Sequence, residues 1–229
     1  MRNQAKKLSA VVVSLFVAVA MPATTFAAPT PTLNQTINAG TLSTDILDAS
    51  QAPVASPSFN MSAKSTSFTC LSGGSASTGT LGSDPQRLYV IDPGAANNGW
   101  TLTMAATSGP TAVWTSGGNT FDFNDSGTAG CADSVVDTDV VGGQLTVSPT
   151  AGTITTDCSS TCTATNVTKG SASAFLEGTV PSITLLNAAA ATENVWRGYL
   201  TGAGLSQTIP AAIPGGTYTL NMTLTATAS

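Results

Sequence analysis

The chain contains no histidine. Its absence removes the commonest general base and the commonest metal ligand together, and excludes serine–histidine and cysteine–histidine catalysis. Charge is scarce too: 8% of residues are charged against 41% hydrophobic, which fits neither a long coiled coil nor a highly charged disordered chain. Lys and Arg number 7 in 229 residues and the net charge is −5, which disfavours nucleic acid as a partner. The only glutamates are Glu177 and Glu193, far apart in sequence, so a glycosidase would need aspartates that no pattern singles out as a pair. No GxSxG, SxxK, P-loop or GxGxxG pattern occurs. The string Asp125-Ser126-Gly127-Thr128 is single, whereas an aspartic-protease dyad needs two aspartates sharing a proton. No enzyme activity is expected, and no cofactor beyond the calcium considered below.

At the N-terminus, Arg2, Lys6 and Lys7 precede an apolar run from Leu8 to Ala20, followed by Thr25-Phe26-Ala27. The run is shorter than the roughly 20 residues a membrane span needs and ends at a small-x-small site, so 1–27 reads as a signal peptide removed on export. No membrane span is expected after cleavage. Loss of three cations takes the net charge from −5 to −8, leaving Lys64, Arg87, Lys169 and Arg197 as the only basic side chains. Residues 28–35, with Pro29 and Pro31, form a polar linker, and 36–229 form the domain.

The cysteines are Cys70, Cys131, Cys158 and Cys162, an even number in an exported chain, which points to two disulfides. Of three connectivities, the favoured one closes Cys158-Ser-Ser-Thr-Cys162 as a tight local loop and joins Cys70 to Cys131. Zinc-finger spacing is absent.

Helical periodicity is nearly missing. Short alternating segments recur between clusters of Gly, Ser, Asn and Pro, an all-β signature. In the clearest, Tyr218, Leu220, Met222 and Leu224 share one face, with Thr217, Thr219, Asn221, Thr223 and Thr225 on the other. Trp100–Met104 repeats this alternation after an Asn97-Asn98-Gly99 turn. Further strands are expected at Thr41–Ile46, Thr66–Cys70, Arg87–Ile91, Gln144–Ser148, Gly152–Thr156, Ser182–Leu186, Val195–Thr201 and Leu205–Ile209, with Ser72–Ser83 flexible and one helical turn at Ala188–Thr192. About ten strands imply a two-sheet β-sandwich or a related barrel.

The segment Leu88-Tyr-Val-Ile-Asp92-Pro-Gly-Ala-Ala-Asn-Asn-Gly-Trp100-Thr-Leu102 resembles the first signature of the WxL family of bacterial cell-surface domains. The C-terminal part, with Trp196-Arg-Gly-Tyr-Leu, Leu205-Ser-Gln-Thr-Ile-Pro210 and Gly215-Gly-Thr-Tyr218-Thr-Leu-Asn-Met222-Thr-Leu224, is similar to the family's ending. It departs at Met222, where the family has its second tryptophan. The resemblance spans roughly Thr36 to Ser229. It implies a β-rich domain held non-covalently on the cell wall, with peptidoglycan as ligand and other surface proteins as neighbours.

Aromatic faces against sugar rings, with Asn, Asp and Thr hydrogen bonds, suit such a ligand. The ligand-binding candidates are therefore Trp100, Leu102, Trp114, Trp196 and Tyr199. Trp100 lies beside Leu102 and Met104 on an alternating strand, which favours a core position over ligand contact, with Met222 as a gap filler on the second motif strand. Trp114, between Gly109-Pro110 and Ser116-Gly117-Gly118, is the better candidate for an exposed stacking ring. Trp196 and Tyr199 fall on opposite faces of their strand.

The densest charge is Asp122-Phe-Asn124-Asp125-Ser126-Gly127 with Asp133, Asp137 and Asp139. Asp122, Asn124, Ser126 and Asp133 occupy positions like those of a calcium loop, although no helices flank it, Asp133 stands where glutamate is usual, and a plain solvated loop is the other reading. Two functions follow. One is a wall-binding surface module; the alternative is a fibre or biofilm-matrix subunit that assembles with itself by strand exchange through residues 28–35.

Overall fold

The computed structural model describes residues 32–38, 40–94, 98–134, 141–158, 162–190 and 195–229. The expected leader lies outside the described residues, as do Asp137, Asp139 and the last two residues of the expected helical turn; residues 188–190 of that turn are described and form no helix, Ala188 ending a strand instead. The chain separates into Met1–Ile37 and Asn38–Ser229. In the first unit, residues 32–37 carry no helix or strand and are exposed.

The second unit is an all-β sandwich. Its strands are β1 (Ser43–Leu47), β2 (Ser77–Leu81), β3 (Arg87–Asp92), β4 (Trp100–Ala106), β5 (Val113–Ser116), β6 (Asn119–Asp122), β7 (Gln144–Ser148), β8 (Thr153–Thr156), β9 (Val167–Lys169), β10 (Ser173–Ala174), β11 (Ser182–Ala188), β12 (Trp196–Thr201), β13 (Ala203–Thr208) and β14 (Met222–Ala228). They form four antiparallel sheets in the orders β1-β3-β12-β8, β10-β7-β13-β2, β14-β4-β11-β9 and β5-β6. None closes into a barrel among the described residues.

The first two sheets share their chain paths. β2 runs on into β3, β7 into β8, and β12 into β13, each passing from one sheet to the other. Leu200 lies opposite Leu88 before the bend and Ala203 opposite Leu81 after it, so the β2–β3 path carries the extra residues. Such switching turns a corner without ending the ladder. Glycines make it possible: Gly82 and Gly202 have φ of 79° and 80°, and the Gly202 N–H donates to the Gly82 carbonyl at 2.9 Å. A Cβ on Gly82 would meet the Leu200 carbonyl at 2.8 Å, and one on Gly152 would meet the Leu200 side chain at 2.8 Å.

The third sheet packs on this bent pair through its apolar face. Along β4, Trp100, Leu102, Met104 and Ala106 are buried while Thr101, Thr103 and Ala105 are half-buried, the alternation expected where one face is solvated. Trp100 meets Trp196 of β12, ring centroids 5.0 Å apart, joining the third sheet to the first. Leu88, Val90, Leu185, Leu186 and Leu200 fill the space around them. In β11 the register shifts between Thr184 and Leu186, which adds one inward leucine and keeps Thr184 and Asn187 level with Thr103 and Thr101 on the outer face.

The two motif strands are neighbours. β14 pairs with β4 so that Leu224 lies opposite Met104 and Ala226 opposite Leu102. Before β14, Thr219 bridges to Thr115 of β5, so the expected strand from Thr217 onward changes partner along its length.

Two expectations are corrected. Thr66–Cys70 forms no strand, and Phe68 is exposed; its alternation finds no neighbouring strand to pair with, and the chain is fastened instead at the Leu71–Ile209 bridge. Ser72–Ser83 is not a flexible stretch. It holds a 3-10 turn and β2, which pairs with β13 and buries Ser77 and Leu81. Small residues there allow close approach: a Cβ on Gly79 would lie 3.0 Å from the Asn60 carbonyl. The disulfides join Cys70 to Cys131 and Cys158 to Cys162, which suits an oxidising compartment. No helix among the described residues is long and apolar enough to cross a membrane.

Candidate binding groove

A cavity of about 300 Å³ opens beside the β5–β6 hairpin. The hairpin turns through Gly117-Gly118, with Ser116 opposite Asn119 and Gly117 at φ 61°, a two-residue loop whose left-handed backbone suits glycine. Opposite one another across the hairpin stand Trp114 and Phe121, stacked at 5.8 Å and 13°. Phe121 also meets Tyr218 at 5.0 Å, so the three rings make one continuous wall.

Hydrogen bonds hold that wall. Trp114 Nε1 donates to Gln207 Oε1 at 2.9 Å, and Gln207 Nε2 donates to the Asp122 and Thr208 carbonyls at 3.1 and 2.8 Å. Gln207 is buried with its amide satisfied on both sides, and this fixes the indole plane. The Tyr218 hydroxyl donates to the Pro214 carbonyl at 2.9 Å, and paired bonds of 3.0 Å between Thr115 and Thr219 fasten the segment to β5.

The facing wall is the segment from Phe59 to Ser67. Met61 bridges to Gly79, and the Ser77 hydroxyl donates to the Ser62 carbonyl at 2.7 Å. Leu71 and Ile209 contribute apolar surface, and Cys70–Cys131 ties this wall to the loop after β6. Around the rings sit Asn60, several Ser and Thr hydroxyls and one charged residue, Lys64. Rings flanked by neutral donors and acceptors can hold the apolar face of a sugar and its rim of hydroxyls.

Of the expected ligand residues, only Trp114 lies here, half-buried and lining the groove. Trp100, Leu102 and Trp196 are 1%, 0% and 0% exposed, so none can reach a ligand; they build the core. The inward face of an alternating strand leaves an indole no other outlet, and Trp196 Nε1 is satisfied by the Thr163 carbonyl at 3.1 Å. Tyr199 is half-buried on the other face of β12, its ring 4.9 Å from Tyr89 and capped by the Arg87 guanidinium at 4.7 Å, which leaves no open platform. Arg87 itself pairs with Asp84, and this hydrogen bond raises its pKa. Burial first, and then a 2.8 Å hydrogen bond to Asp157, pushes the Tyr89 hydroxyl above the usual tyrosine range.

The calcium-loop candidates are placed otherwise than that pattern requires. After β6 Asn124 is bridged to Gln144 and the chain turns only over residues 127–131, so the first positions of the pattern lie in bridged backbone, whereas a calcium loop curls around its ion from its first ligand onward. Asp122 Oδ1 accepts the backbone N–H of Phe123 at 2.6 Å, and Asn124 Nδ2 donates to the Pro110 carbonyl at 3.0 Å. Ser126 is exposed and Asp133 half-buried. Among the described residues no three acidic or cysteine side chains gather as metal ligands.

Phe59, Phe121, Tyr218, Gln207 and Lys64 were not singled out by the sequence. One local signal existed: Val113–Ser116 and Asn119–Asp122 flank Gly117-Gly118, a hairpin pattern that places Trp114 opposite Phe121. No known protein family, curated protein or solved structure matches the chain.

Proposed function

We propose that this protein is a non-catalytic bacterial surface module that holds cell-wall glycan non-covalently, with the groove beside Trp114 as the binding site. The carrying observation is the Trp114–Phe121–Tyr218 wall, in which half-buried Trp114 and Tyr218 flank a buried Phe121, oriented by Gln207 and set among neutral hydroxyl and amide groups. In support of a WxL-like domain stand the adjacency of the two motif strands and the half-buried place of Met222 beside the core, where a thioether serves as well as an indole for filling space. In that reading the motifs specify the sandwich, and the groove carries the contact. The wall then retains the protein without a covalent bond.

Retention on purified cell-wall sacculi tests this. Saturable binding of the mature protein, persisting in moderate salt and lost in Trp114→Ala with an intact melting transition, is the expected result. Undiminished retention of that variant overturns the assignment of the groove. Growth in particle size with concentration, measured by light scattering without sacculi, would point to self-assembly instead.

A further inference from the structure

Building on the groove's role as a saccharide site, we infer that it selects an oligosaccharide carrying a carboxylate, read by Lys64. The distribution of charge leads there. No Asp or Glu lines the groove, although the chain has 12 acidic residues against 7 basic ones. Its one charged lining residue is Lys64. The other basic residues of the second unit are engaged elsewhere: Arg87 with Asp84, Arg197 with Asp157 at 3.8 Å, and Lys169 with the Thr150 and Gly152 carbonyls at 2.9 and 2.7 Å. Lys64 is exposed and has no ion-pair or hydrogen-bond partner among the described residues. An ammonium on the wall facing the rings, in a groove that no acidic residue lines, complements a sugar ring bearing one negative charge.

A polyanion fits less well. A single lysine meets a single charge, and the remaining phosphates of a poly(glycerol phosphate) chain would face a protein with a net charge of −8 after loss of the leader's three cations. At physiological salt that repulsion is screened beyond about 8 Å, so a short ligand inside the groove feels Lys64, while a long chain running over the surface meets the carboxylates. Lysine therefore contributes selectivity, and the rings contribute most of the affinity.

The test uses a tetrasaccharide of alternating N-acetylglucosamine and glucuronate, its carboxyl-reduced form, and poly(glycerol phosphate). Binding is followed by calorimetry and by tryptophan fluorescence, to which Trp114 is the half-buried contributor. The acidic sugar is expected to bind about fivefold tighter than the reduced one, the upper end for an exposed ion pair. Lys64→Gln should abolish that difference by weakening the acidic sugar alone, and Lys64→Arg should keep it. Equal binding of the two sugars overturns the role of Lys64 while leaving the groove as a saccharide site. Tighter binding of poly(glycerol phosphate) overturns the carboxylate assignment. Binding of neither sugar overturns the inference outright, and sacculus retention unaffected by Trp114→Ala would remove the groove as well.

Discussion

Substitution of Trp196 and of Trp114 should have opposite consequences for stability and binding. Trp196 is 0% exposed, packs on Trp100 at 5.0 Å and donates to the Thr163 carbonyl. Truncating such a residue to alanine costs about 3–5 kcal/mol. For a domain of this size each kcal/mol lowers the melting temperature by about 2–4 °C, so Trp196→Ala should lose roughly 8–16 °C for a cost of about 4 kcal/mol. Trp196→Phe keeps a ring against Trp100 and should cost about half as much. Trp114 is half-buried, and its removal sacrifices one hydrogen bond of about 1 kcal/mol and a ring contact of about 1 kcal/mol, roughly 4–8 °C together. Calorimetric melting paired with sacculus retention separates the two sites. Trp196→Phe should melt earlier and, well below its transition, bind like the parent; Trp114→Ala should remain folded and fail to bind. An unchanged melting temperature for Trp196→Phe together with lost retention would refute the placement of the motif tryptophan in the core.

Gly82→Ala should destabilise by about 2 kcal/mol or more, because φ of 79° is costly for alanine and the new methyl would press on the Leu200 carbonyl at 2.8 Å; chemical denaturation reads this, and an unchanged midpoint would count against the bend. Replacing both Cys70 and Cys131 by alanine should cost about 4 kcal/mol by loop-closure entropy, against about 2 kcal/mol for the Cys158–Cys162 pair, since the bridged separations are 61 and 4 residues. Tyr89 should make stability fall in alkali. Its folded pKa is raised, so its contribution is complete below about pH 10, where the unfolded tyrosine ionises, and is lost as pH climbs through the folded value. Tyrosinate absorbance at equilibrium should show that late component, and Tyr89→Phe should remove it.

Strand chemistry was legible wherever it was local. Period-two alternation located β4, β3, β7, β11 and β12 within one or two residues, because a face buried against another sheet needs an apolar residue at every second position. The four-residue spacing of Cys158 and Cys162 pointed to their closure, which left the longer link by elimination. β2 escaped notice because Ser77, Thr78, Gly79 and Thr80 carry little apolar signal, and their order comes from pairing with β13 and from the Phe59–Ser67 wall. Trp114 could be separated from Trp100 by its turn-rich surroundings, and the Gly117-Gly118 hairpin pattern holds the signal that sets it opposite Phe121, but its hydrogen-bond partner Gln207 could not be foreseen.

By itself, then, the sequence determined the class of fold, the inward residues of the main strands and the absence of histidine chemistry, since each depends on identities and spacings along a few consecutive positions. Only the tertiary structure decided that Trp100 and Trp196 spend their rings on one another, that Asp122 and Asn124 serve the backbone, and that Phe59, Lys64, Trp114, Phe121, Gln207 and Tyr218 meet around one groove. Those six residues come from three stretches, 59–64, 114–121 and 207–218, that lie far apart along the chain. Their meeting depends on where the bent strands carry each segment, which no local pattern records.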